Sequence, residues 1–148
     1  MPGRDRVAAL KLLERLRRHE VEVTGAKLAA LRSEQAALET QRTALAATAA
    51  QEASDTTVET RPYLPGYLTS VDSQQRQWAE EQDRLDQVAA EHEASLLKSF
   101  EASKTVEIVL GRAEQEIKQD ADRAEAAALD EAGRTMFLAA RKAAKKGR

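Results

Sequence analysis

The 148-residue chain has no cysteine, three prolines, and only two phenylalanines, two tyrosines and one tryptophan. Without cysteine it forms no disulfide and no thiolate metal site. With aromatics at 3% of the residues, apolar burial has to lie along a thin seam, because a thick core has no bulky side chains to fill it. No apolar run approaches the about eighteen residues that a membrane-spanning helix requires. The opening MPGRDRVAALKLLERLRR lacks the uninterrupted apolar core and cleavage site of a Sec signal, so a soluble cytoplasmic protein is expected. A net charge of −2 gives no whole-molecule attraction to nucleic acid or anionic lipid.

Charged residues make up 32% of the chain, and Ala, Glu, Gln, Leu and Arg dominate the rest. That bias belongs to long helices and coiled coils. The stretch from Trp78 to Lys146 contains no proline. Read as one helix of about seventy residues, it spans roughly 100 Å at 1.5 Å per residue. A globule of this size cannot house it, so an extended coiled coil is expected.

A first helix is predicted over about 4–53. Leu31, Leu38 and Leu45 recur every seven residues, with Val21 and Leu28 as a second row, in a and d spacing. Upstream, Leu10, Leu12, Leu13 and Leu16 fall out of that phase, which predicts a shift of the seam near Thr24 and Gly25. Gln35 and Arg42 occupy seam positions, where polar residues weaken a pair but fix its register. The segment 54–69, SDTTVETRPYLPGYLT, is predicted as the turn, since Pro62 and Pro65 oppose a helix interior. A second helix is predicted over about 70–146. Either Pro65 opens it, or Thr69 or Ser70 caps it with Asp72 near its positive end.

The second helix carries Leu85, Ala89, His92, Leu96, Val106, Leu110, Ala113, Ile117, Ala121 and Ala124 at steps that keep them on one face. Glu14–Arg18, Glu80–Arg84 and Glu114–Lys118 are spaced as i,i+4 pairs. Gly111 and Gly133 mark points of lower helix propensity. Folding the chain at its turn gives an all-α antiparallel coiled-coil hairpin, a single domain whose second helix is the longer. Leu45 is then expected near Trp78, Leu38 near Leu85 and Leu10 near Ala113. Residues 120–146 overhang, with Met136, Phe137 and Leu138 exposed and awaiting a partner. Basic residues collect at both ends: Arg4, Arg6, Lys11, Arg15, Arg17 and Arg18 in the first helix, and Arg141, Lys142, Lys145, Lys146 and Arg148 in the second. The first group opposes the helix macrodipole and hints at a binding surface; the second agrees with it.

The chemistry of an enzyme is missing. There is no glycine-rich phosphate loop, and neither His19 nor His92 belongs to an HExxH or Glu-x-x-His arrangement. His19 reads as a surface residue and His92 as a packed seam residue. No catalytic residue, cofactor or metal site is expected. Tyr63, Leu64, Tyr67, Leu68 and Trp78 gather at and just after the turn, where they either close the hairpin tip or form a docking knob.

LKLLERLRRHE near the start, YLPGYLTSVDSQQRQ after the turn and SKTVEIVLGRAEQEIKQDADRAEAAALDEAG towards the end resemble the FliJ family of flagellar export proteins and its YscO-type injectisome relatives. Val106 stands where that family more usually has Leu, and Pro62 and Pro65 depart from its turn. The resemblance implies a non-enzymatic stalk of the type III export apparatus, similar to the rotor stalk of rotary ATPases. It implies a monomer at the flagellar base, peripheral to the inner membrane. Its partners would be the hexameric export ATPase, the cytoplasmic domain of the export gate and export chaperones. Tyr67, Val71, Gln74 and Trp78 match the family's exposed gate-docking face. Leu13, Arg17, Arg18, Leu129, Asp130 and Glu131 match the ends that would meet the ATPase ring. The competing reading is a self-associating coiled-coil scaffold, which predicts an oligomer in place of a monomer. Nucleic-acid binding is argued against by the absence of aromatics among the terminal arginines.

Overall fold

The computed structural model describes residues 2–147, so Arg148 of the basic C-terminal cluster lies outside the described residues. Helix α1 is Pro2–Ser54 and helix α2 is Leu64–Lys146, 53 and 83 residues long. A single 3-10 turn, Arg61–Tyr63, precedes α2. The fold is the expected all-α antiparallel coiled-coil hairpin with the longer helix second.

The connection is shorter than the proline-rich segment suggests. The non-helical backbone is confined to 55–60, and α2 begins six residues before the predicted start at 70. Pro62 sits in the 3-10 turn and Pro65 in the first turn of α2. In a first turn, proline lacks an N–H that would have had no helical partner anyway. Thr69 and Ser70 are therefore not caps: their hydroxyls donate to the carbonyls of Pro65 and Gly66, one helical turn back. Thr60, which precedes the 3-10 turn, makes no side-chain cap hydrogen bond. Thr57 and Thr60 instead tie the loop to itself: each backbone N–H donates to the other's hydroxyl oxygen, at 3.0 and 3.3 Å. No described residue adopts a positive φ, so the reversal is made without glycine geometry.

The inward face of α1 is regular. Val7, Glu14, Val21, Leu28, Gln35, Arg42 and Ala49 form one buried or half-buried row. Leu10, Arg17, Thr24, Leu31, Leu38 and Leu45 form the other. The steps alternate three and four throughout, so the expected phase shift near Thr24 and Gly25 is absent. Leu12 and Leu16 instead stay outside, 56% and 54% exposed, and Glu14 and Arg17 take the seam. Their long stems cover apolar surface, and the Arg17 Nε is itself buried in the seam.

The irregularity lies on α2. Leu64, Val71, Trp78, Leu85, His92, Ser99, Val106 and Ala113 keep a seven-residue row. Its companion row is Tyr67, Gln74 and Glu81 before Leu85, but Ala89, Leu96, Ser103, Leu110 and Ile117 after it. Successive steps of four through Glu81, Leu85 and Ala89 constitute the stutter.

The chain divides into two packing units. One is Arg18–Glu101, containing the turn, and the other joins the segment before Arg18 to the segment after Glu101. In the first, Arg32 pairs with Glu93, Gln35 Nε2 donates to Asp86 at 2.6 Å, and Arg42 Nη1 donates to Gln82 Oε1 at 2.6 Å. These cross-links fix the register that sets Leu38 opposite Leu85, as expected. In the second unit, Gly3 lies against Ile117, and Val106, Leu110 and Ala113 are buried.

Leu85 is the most buried side chain at 2% exposure. Leu85→Ala is expected to cost about 2–4 kcal/mol. Leu16→Ala is expected to change stability by less than about 0.5 kcal/mol. Urea denaturation followed by helical circular dichroism measures both. Equal losses would restore the phase shift that the structure lacks.

Candidate functional site: the hairpin tip and the C-terminal arm

Two regions carry the residues singled out by sequence. At the tip, Tyr67, Val71, Gln74 and Trp78 do share a face of α2, as their spacing requires. That face is turned towards α1, and all four are half-buried. This corrects the expectation of an exposed gate-docking face. The reason is the seven-residue row through Leu64, Val71, Trp78 and Leu85: once Leu85 is inside, Val71 and Trp78 are too. The large apolar side chains that do face outward at the tip are Val58, Tyr63 and, less fully, Leu68. A shallow recess of about 220 Å³ lies beside them, lined by Glu52, Asp55, Thr57, Thr60, Tyr63 and Tyr67.

A polar layer holds the register just below the tip. Arg42 is half-buried on the seam and donates to Gln75 and Gln82, while Gln75 Nε2 donates back to the Arg42 carbonyl at 2.9 Å. Gln82 also reaches Glu39 at 3.4 Å. This network is a positioning device, since its hydrogen bonds run between the two helices. His92, half-buried on the seam, turns its Nδ1 to the Val88 carbonyl one turn back in α2, at 2.9 Å, and His19 is exposed as expected.

The second region is the arm of α2 beyond Ile117. Every residue from 118 to 147 is exposed. Leu129, Met136, Phe137 and Leu138 are 67%, 73%, 65% and 53% exposed. Of the residues matched to an ATPase contact, Leu129, Asp130 and Glu131 lie in this arm, and Glu131 meets Arg134 at 3.7 Å. Leu13 and Arg18 are exposed, and Arg17 is half-buried on the seam. The structure does not bring the two groups together. From Leu13 to Gly3 and from Ile117 to Leu129 the path is twenty-two residues, about 33 Å at 1.5 Å per residue.

One exposed patch escaped the sequence reading. Leu97 and Phe100 stand off the seam and, with Val21, Leu28, Arg32, Glu93 and Leu96, line an apolar recess of about 500 Å³. The signal was available, because neither Leu97 nor Phe100 fits the row through Leu96, Ser99 and Ser103.

Among the described residues no group of His, Cys, Asp and Glu is placed to hold a metal ion, and no helix is long and apolar enough to cross a membrane. The chain matches no protein-family model, no curated protein and no solved structure.

Surface electrostatics are local. Arg84 pairs with Glu81, three residues back, at 3.0 and 2.5 Å, and not with the anticipated Glu80. The hydrogen bond from Arg84 holds the Glu81 carboxyl below the usual range, against a smaller desolvation effect and aided by the attraction of the same guanidinium. A lowered folded value means that the pair's stabilisation is present above the ordinary glutamate pKa and is lost as pH falls through the lowered one. A carboxyl-carbon NMR titration is expected to place Glu81 below an ordinary glutamate, and Arg84→Gln to bring it back up. An unmoved midpoint in the variant would assign the shift to something else.

Proposed function

We propose that the chain is a non-enzymatic stalk of a type III protein export apparatus, of the flagellar FliJ kind, which links an export ATPase ring to the export gate and assists export chaperones. The observation that carries this reading is the asymmetry of the hairpin. An antiparallel pair of helices ends on one side in a closed turn, while α2 runs on past α1 as an exposed arm. A turn with an outward Tyr63 in one packing unit, and an exposed, partly apolar helical arm in the other, suit a part that touches more than one partner.

The arm supplies apolar anchors beyond the end of α1, where Leu129, Asp130 and Glu131 would meet the ATPase hexamer, while Leu13, Arg17 and Arg18 would make a separate contact further back along the paired helices. At the tip, contact with the cytoplasmic domain of the gate would be made first by the outward Tyr63 and Leu68. Tyr67, Val71, Gln74 and Trp78 would support that surface from within. The site of work would be the cytoplasmic face of the inner membrane at the flagellar base.

The test is ATP hydrolysis by the cognate export ATPase with and without the purified chain. Stimulation is expected, and Leu129→Asp is expected to reduce the apparent affinity at least tenfold, a loss of about 1.4 kcal/mol or more. Tyr63→Ala should leave stimulation unchanged and weaken capture of the gate domain. A chain that neither binds nor stimulates the ATPase overturns the proposal.

A further inference from the structure

The last part of the arm differs in charge from the part before it. Residues 118–131 hold five acids against two bases, whereas residues 132–147 hold five bases and no acid. The whole-chain charge of −2 conceals this segregation.

The bases are also sorted around the helix. At 3.6 residues per turn, Arg141, Arg134, Lys145, Lys142 and Lys146 fall within one sector of about 140°. Gly133, Met136, Phe137, Ala140, Ala143 and Ala144 fall within another of about 120°, on the opposite side. No charge enters that apolar sector. Arg141 borders it beside Phe137, and Lys146 is the nearest base on its other edge. Leu138 is the exception, an apolar side chain among the bases. With Arg141, Lys142 and Lys145 it lines a shallow recess of about 380 Å³. Both sectors are exposed along their length.

We propose that residues 132–147 form an interfacial helix that lies on an anionic lipid surface, with Met136, Phe137 and the alanines turned into it and the bases at headgroup level. Binding of such a helix grows with the apolar area it buries and with its attraction to anionic lipid, and this segment carries both. A helix is about 10 Å across, no more than about one screening length, so even Lys142 on the far side feels the surface charge. A groove in a protein takes large anchors at i, i+3 or i+4, and i+7. Met136 and Phe137 are chain neighbours, and positions 139, 140, 143 and 144 are all alanine. A bilayer surface sets no such requirement, since two bulky side chains on a bed of alanines enter it to a shallow depth. A nucleic acid would meet the basic sector and leave Met136 and Phe137 in water. The helix lies in the interface without crossing it, which needs no membrane-spanning segment. The inference is independent of the stalk reading, because Leu129, Asp130 and Glu131 precede the segment.

Vesicle binding by the full chain, with no partner protein present, tests this. Co-sedimentation is expected with vesicles that contain phosphatidylglycerol, weakening as salt is raised, and little with phosphatidylcholine alone. Met136→Ser with Phe137→Ser, and separately Arg141→Glu with Lys146→Glu, should each weaken binding at least about tenfold. Leu138→Ser, in the basic sector, should leave it unchanged. Because the chain has no native cysteine, an environment-sensitive fluorophore can be attached through Ala140→Cys or through Lys142→Cys. On vesicles the first should shift to the blue and the second should stay as in water. Helical circular dichroism on each variant separates these effects from misfolding. Equal shifts at the two positions, equally tight binding to phosphatidylcholine, or no co-sedimentation at low salt would overturn the proposal. Binding that survives Met136→Ser with Phe137→Ser intact would also overturn it, and would assign the basic sector to a polyanion such as nucleic acid.

Discussion

The alternation of three- and four-residue steps along α1 governs the rest of the molecule. Two rows spaced in this way point at one neighbour over the helix's length, and every other feature adjusts to them. Glu14, Gln35 and Arg42 enter the seam because the rows pass through them, and each then needs somewhere to put its polar end. Arg42 solves this with Gln75 and Gln82, and Gln35 with Asp86. Such bonds stabilise little in net terms, but breaking one leaves a half-buried donor unpaired, which penalises a slipped register. Polar seam residues thus buy alignment at some expense of stability.

A seam is a narrow core. Among the described residues only Leu28, Leu38, Ala49, Leu85, Ala89, Val106, Leu110 and Ala113 are buried, and three of these eight are alanines. Little apolar area leaves water per residue, so stability is distributed along the helices and not concentrated at a centre. Local opening is therefore easiest where packing is absent, in the arm beyond Ile117. A helix of that length without a neighbour is marginal in water, and its Gly133 lowers propensity further. The arm is the part of the chain with most to gain from a partner, whichever partner takes it.

The hairpin was legible because the signals that specify it are periodic. Leu31, Leu38 and Leu45, answered by Leu85, Ala89 and Leu96, give both the pairing and its direction. The sequence is less legible where residue type and periodicity disagree. Leu12, Leu13 and Leu16 look like core by type, yet the rows exclude them, and the long-stemmed Glu14 and Arg17 are admitted. Tyr67, Val71 and Trp78 look like an exposed docking face by resemblance, yet continuity with Leu85 turns them inward. Thr69 and Ser70 are good caps by type, but the helix had already begun, since Pro65 is harmless in a first turn. The stutter at Leu85–Ala89 was hidden because alanine beside valine gives no strong preference for either row. No residue pattern distinguishes which macromolecule meets the outward Tyr63 or Leu129, because exposed apolar side chains report a contact without naming it.

The hairpin requires the two helices of one chain to pack on each other with Arg32 beside Glu93. Spin labels at these two positions, introduced by Arg32→Cys and Glu93→Cys into a chain with no other cysteine, measure that directly by pulsed electron resonance. With helix axes 8–10 Å apart, the label separation is expected below about 20 Å. That short distance should survive dilution with an excess of unlabelled chain. A short distance that vanishes on dilution would mean the pairing is between chains, and a separation beyond about 50 Å, towards the roughly 90 Å that an open continuation of the helices would give at 1.5 Å per residue, would mean the hairpin does not form.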